Sequence, residues 1–202
     1  MIRHLRWIIY GEHVKLEFIK QLSTVLSTPS YASFVRQAAG LQLKNVLVAK
    51  EEATKTQYLK RWLALPVDVR EFVKQNVVQT LGTEQFRPSV AAQCVAAIAC
   101  AEIPEELWPN IIDHLKNNVI SSNNEVLRES SLEALGYICQ DISGTKLESQ
   151  ANLILTAIVH GLRKDEPSNH IRLAAANAMM NSLEFTKENF NREVCSWFFF
   201  QW

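Results

Sequence analysis

From Val35 to Leu47 the chain reads VRQAAGLQLKNVL, with Val35, Ala39, Leu43 and Leu47 falling four residues apart. That spacing predicts one apolar face of a helix. The pattern returns three times, as VAAQCVAAIACAEI from Val90, LRESSLEALGYICQDI from Leu127 and IRLAAANAMMNSLEF from Ile171. Two of these copies keep the early arginine, as Arg128 and Arg172. Each is followed after one residue by a small pair, Ser130 and Ser131 or Ala174 and Ala175, as Arg36 is by Ala38 and Ala39. The copy at Val90 lacks the arginine.

A second amphipathic segment precedes each later copy: VDVREFVKQNVVQTLG, EELWPNIIDHLKNNVI and KLESQANLILTAIVHGL. The repeating unit is therefore a helix pair. The copies begin at 35, 90, 127 and 171, so they lie 55, 37 and 44 residues apart, near the roughly 40–47 residues of HEAT and armadillo units. The long first gap holds AKEEATKTQYLKRWLALP, Ala49 to Pro66, which reads as an inserted helix with polar flanks. Turn-forming stretches TPS, FRPS, SSNN and DEPSN are expected to fall between the pairs and offer Ser and Asn as N-caps. Small residues in the second helices let a partner approach closely while Leu, Ile and Met fill the space between layers. The expected fold is all-α, a HEAT/armadillo-like α-solenoid of stacked antiparallel helix pairs sharing one core. An ordinary bundle, whose alanine-rich helices look alike because they pack alike, is the alternative.

Composition narrows the function classes. Lys plus Arg and Asp plus Glu both number 21 in 202 residues, so no long-range field points to nucleic acid or an anionic membrane. Six Gly and six Pro leave little turn chemistry for a β-sandwich. Cys94, Cys100, Cys139 and Cys195 contain no C-x-x-C pair and read as free thiols in a reducing compartment. The opening MIRHLRWIIYG does not read as a signal peptide, and no apolar run approaches the ~20 residues of a membrane helix. Nucleotide-loop, serine-nucleophile and zinc-protease motifs are missing, so no catalytic residue, metal or cofactor is expected. The histidines His4, His13, His114, His160 and His170 are scattered without ligand spacing, and carboxylates such as Glu105 and Glu106 read as a solvated face.

Five stretches carry a closer likeness: AAGLQLKN from Ala38, KRWL from Lys60, VVQTLGTEQFRPSVAAQCVAAIACAEIP from Val77, ESSLEALGYICQDI from Glu129 and AANAMMNSLEFTKENF from Ala175. They resemble the amino-terminal part of the importin-beta (karyopherin-beta) family of nuclear import receptors, from about Leu16 to Phe190. The expected division is an atypical segment at 1–15, amino-terminal-like HEAT repeats at 16–83, further repeats at 84–190 and an atypical aromatic tail at 191–202. Both ends depart from the family pattern, and the aromatic run Trp197 to Trp202 would be an aggregation liability on an exposed tail. A truncated gene product is the expectation, with adaptor-binding repeats absent.

The resemblance implies two partner surfaces. Second helices of the first repeats take the GTP-bound form of the small GTPase Ran in this family, and Lys44 and Lys50 match basic residues of that surface. As residues alone, both also read as solvated charges. First helices of later repeats form an apolar groove for phenylalanine-glycine (FG) nucleoporins, and Leu155, Thr156, Ile158 and Val159 match one wall. Leu155, Ile158 and Val159 also read as filling the stack; Val159 is the preferred contact. Binding without catalysis, in protein import between cytoplasm and nucleus with association at the nuclear pore, is the implied function. A helical scaffold without transport activity, or a dominant-negative fragment, is the alternative.

Overall fold

The computed structural model describes residues 16–189, and the aromatic run, Cys195, His4 and His13 lie outside that range. Every described regular element is helical. Helix α1 covers 16–27 and α2 Ser33–Leu47, followed by α3 Glu52–Leu63, α4 Val67–Thr80, α5 Val90–Glu102, α6 Ile111–Ser121 and α7 Glu125–Asp141. A short α8, Gly144–Leu147, and a 3-10 turn, Glu148–Gln150, lead to α9, Ala151–Gly161, and α10, Asn169–Asn189.

The four copies of the opening pattern are α2, α5, α7 and α10. They form one row, each packing on the next. Helices α1, α4, α6 and α9 form the other: Asn76 of α4 donates to Ser23 of α1 at 3.0 Å, and α6 packs on α9. Two layers of helices therefore share a continuous apolar core running from Ile19 to Ala178. This is the expected α-solenoid.

Local chemistry sets the boundaries, and the four turn stretches expected between pairs instead join the two helices of a single pair, because each leads directly into a second helix. Ser89 accepts from the Ala92 amide at the start of α5, and Asn124 accepts from Val126 and Leu127 at the start of α7. Helix α2 differs, because Ala32 holds the cap position and supplies no side-chain acceptor. The segment from Glu105 becomes helical only at Ile111, since Pro109 restricts the residue before it. Likewise KLESQANLILTAIVHGL is divided between α8, the 3-10 turn and α9, with Leu147 buried where the path bends. Gly82 has φ +78, and a Cβ there would stand 2.6 Å from Leu127 Cβ, so both backbone and neighbour require glycine.

The repeated arginine has a structural reason. Arg36 Nε donates to the Leu26 carbonyl at 2.8 Å, and Arg128 Nε to the Val119 carbonyl at 3.0 Å. Each satisfies a C-terminal carbonyl of the first helix in its own pair, where a cation also complements the helix dipole. The same guanidinium then reaches the next pair, Arg36 to Thr83 Oγ1 at 2.7 Å and Arg128 to Glu166. Arg172 makes a looser version, to the Lys164 carbonyl at 3.3 Å. The arginine is thus a strut within and between repeats.

Candidate functional site

The inserted helix is held more firmly than its polar flanks imply. Helix α3 lies against α2 and α5 and buries Trp62, whose Nε1 donates to Glu102 Oε1 at 3.0 Å. Glu102 is fully buried and receives Arg70 at 2.8 Å and Lys74 at 2.7 Å from α4. Lys74 also pairs with Glu71 at 2.6 Å and lies 5.0 Å from the Trp108 ring centroid. Three helices, α3, α4 and α5, therefore meet at one carboxylate. The sequence shows these residues but not their convergence, because Glu102 lies 40 residues from Trp62.

The two candidate lysines occupy different settings. Lys44, in the last turn of α2, is half-buried and donates to Gln93 Oε1 of α5 at 3.3 Å. Lys50 is exposed in the turn after α2 has ended. Lys44 therefore sits on the second-helix row and Lys50 beside α3.

On α9, Leu155 and Ile158 point into the core, while Thr156 is exposed and Val159 half-buried. Thr156 Oγ1 donates to the Asn152 carbonyl at 2.6 Å, satisfying its hydroxyl within the helix. Thr156 and Val159, three apart, share the outward stripe. The preferred contact, Val159, thus reaches solvent, and Leu155 and Ile158 support it from behind.

The three described cysteines carry little reactivity. Cys94, Cys100 and Cys139 are free thiols, and burial raises all three, Cys100 and Cys139 to about 12. Such thiols remain protonated and behave as small apolar side chains. His160 is half-buried on α9, and burial together with Arg128 and Arg163 lowers its pKa. Among the described residues no cluster of metal-ligating side chains forms, and no helix is long and apolar enough to cross a membrane.

Residues 13–83 match the importin-beta N-terminal domain family. Importin subunit beta-1 of Schizosaccharomyces pombe is 42% identical over 178 residues, covering 88% of this chain and 21% of that protein. The chain belongs to the importin-beta family. A solved Kap95:Nup1 complex has a TM-score of 0.80 to this importin-beta family chain at 34% identity, covering 92% of it and 22% of the solved chain. A second solved structure, in which Kap95p binding induces the switch loops of RanGDP to adopt the GTP-bound conformation, has a TM-score of 0.79 at 34% identity, covering 88% and 21%. The chain spans about a fifth of the length of the importin-beta relatives it matches. The likeness covers both rows of helices, so it extends well beyond the matched domain.

Proposed function

We propose that this chain acts as part of a nuclear import receptor, contacting Ran in its GTP form through the second-helix row and FG nucleoporins through α9. The observation that carries this reading is the 34–42% identity over about nine-tenths of the chain to importin-beta proteins, two of whose solved structures involve Nup1 or Ran. Lys44 and Lys50 are the proposed cationic contacts to Ran. Thr156 and Val159 are the proposed apolar contacts to nucleoporin, backed by Leu155 and Ile158. Phenylalanine side chains suit such a site because a large apolar anchor can be held weakly and many times over. Work in this role places the chain in the cytoplasm and nucleus, with association at the nuclear pore. It is a binding role without a reaction of its own. A division into repeats at 16–83 and further repeats at 84–190 is part of the same proposal, supported by the match of residues 13–83 to the importin-beta N-terminal domain.

Titration with Ran loaded with GTP or GDP, at two salt concentrations, tests the reading. Tighter binding of the GTP form, weakened by salt and by Lys44→Glu, is expected, since exposed charge pairs are screened. Equal or no binding of both forms by folded protein would favour a helical scaffold without transport activity.

A further inference from the structure

Helices α2 and α5 approach closely at Gly40, where a Cβ would stand 2.5 Å from Val90 Cγ1. The Cys94 thiol donates to the Gly40 carbonyl at 3.3 Å and fixes the register of the two helices. One turn beyond Gly40 lies Lys44, and one residue before Cys94 lies Gln93, both half-buried. The close approach brings them together: Lys44 Nζ donates to Gln93 Oε1 at 3.3 Å. The other end of that amide is placed as well, since Gln93 Nε2 faces the Ser89 carbonyl at 3.5 Å. Ser89 is in turn fixed as the N-cap of α5, accepting from the Ala92 amide. The amide nitrogen therefore points to its own helix and the oxygen to Lys44.

A neutral partner holds an ammonium differently from a carboxylate. Lys74 shows the second case, its charge matched by Glu71 at 2.6 Å and Glu102 at 2.7 Å. Among the described residues Lys44 makes no such pair. Gln93 accepts one of its three N–H bonds, so two donors and the whole positive charge remain for a partner. A free lysine loses much rotamer freedom when it enters an interface, and Lys44 has already lost part of it in the folded chain. Lys50, exposed in the turn after α2, has no such tether among the described residues.

We propose that Gln93 is a positioning residue for the Ran contact: it holds Lys44 in place on the second-helix row with its charge uncancelled, ready for an acidic side chain of the GTPase. This inference rests on the reading of Lys44 as a Ran contact and adds the residue that prepares it. Gln93 acts through Lys44 rather than by touching the partner. Glutamine suits the task because it accepts a hydrogen bond without neutralising the donor. A glutamate of the same size would also hold the lysine, but as an ion pair that the partner must break, and its carboxylate would repel the partner's own acid. The sequence shows Gln93 only as one letter of VAAQCVAAIACAEI; its meeting with Lys44, 49 residues away, exists only in the stack.

The test titrates Ran loaded with GTP into the full chain carrying Lys44→Met, Gln93→Met, both substitutions, or Gln93→Glu, at two salt concentrations. Gln93→Met should weaken binding by roughly two- to tenfold, the cost of immobilising one long side chain on association. In the Lys44→Met background the same substitution should change nothing, because the group it positions is gone. Gln93→Glu should weaken binding more than Gln93→Met and flatten the salt dependence, since the cation is already paired. Without Ran, Lys44→Met should shift the Gln93 side-chain amide resonances of the ¹⁵N-labelled chain; unmoved resonances would overturn the inference. Full affinity in both Gln93 variants, with Lys44→Met weakened, would overturn it too and leave the Ran reading standing. Lys44→Met binding as tightly as wild type would overturn that reading, and the inference with it. Equal losses from Gln93→Met with and without Lys44 would mean that Gln93 touches the partner or supports the fold, and would likewise overturn the inference. Gln93→Glu keeps the size of the side chain, so its salt profile decides the matter if the methionine variant does not fold.

Discussion

Arg36 is 6% exposed, yet its guanidinium is satisfied by a helix-end carbonyl and by Thr83. Removing it leaves buried acceptors unmade, so Arg36→Ala should lower stability by roughly 2–3 kcal/mol in urea unfolding. Arg36→Lys should recover little, because an ammonium cannot reproduce the fork that reaches both repeats. Glu133 gives a second measurable effect. Burial raises its pKa in the folded chain from 4.5 to about 7. Its contribution to stability is therefore present below the ordinary carboxylate range and is lost as pH rises through about 7. Relative to Glu133→Gln, the wild type should lose stability between about pH 5 and about pH 8, by paired urea unfolding; parallel curves would refute this. The arginine was legible as a recurring letter, whereas its bonding was not. The letters Glu129, Glu133 and Tyr137 show a four-residue spacing, but nothing near them points to His170 or Asn177 across the groove between α7 and α10.

Helix α3 is the element whose sequence most understates its anchorage. Apart from Trp62 it presents a largely polar surface, and EEATKTQYLKRWL reads as an insertion between repeats. Its attachment centres on Trp62, fully buried and bonded to Glu102 of α5, with Leu59 and Leu63 packed against the core beside it. Trp62→Ala should cost about 3–5 kcal/mol through the lost ring volume and should strip amide-exchange protection from α3 first. Uniform loss of protection across α3 and α7 would mean that α3 is not a separable element. The helices themselves were legible from periodicity, because that signal is local. Their boundaries were less so: Pro109 delays α6, and the bend at Leu147 interrupts the run leading into α9. For the candidate nucleoporin stripe, periodicity located the helix, but the exposed side of α9 depends on where α6 and α10 pack.

The stack as a whole should open from its ends. Each pair contacts its neighbours, so stability is close to a sum of repeat and interface contributions. Helix α5 is buried along almost its whole length, only Gln93 and Cys100 reaching partial exposure, and α7 packs against neighbours on both sides of the second-helix row. Amide exchange should accordingly be slowest in α5 and α7 and faster in α2 and α10; the reverse order would contradict a solenoid with a central core. Sequence by itself determined the helix pairs, the repeat, the small-residue packing faces and the family likeness, because each is written in spacings within about one repeat. Tertiary structure alone decided that the repeated arginine braces two pairs and that Trp62 meets Arg70 and Lys74 on Glu102. It likewise decided that Glu133 faces a groove completed by α10. Those contacts join residues 28 to 47 positions apart or groups on separate helices, and their geometry exists only once the layers have stacked.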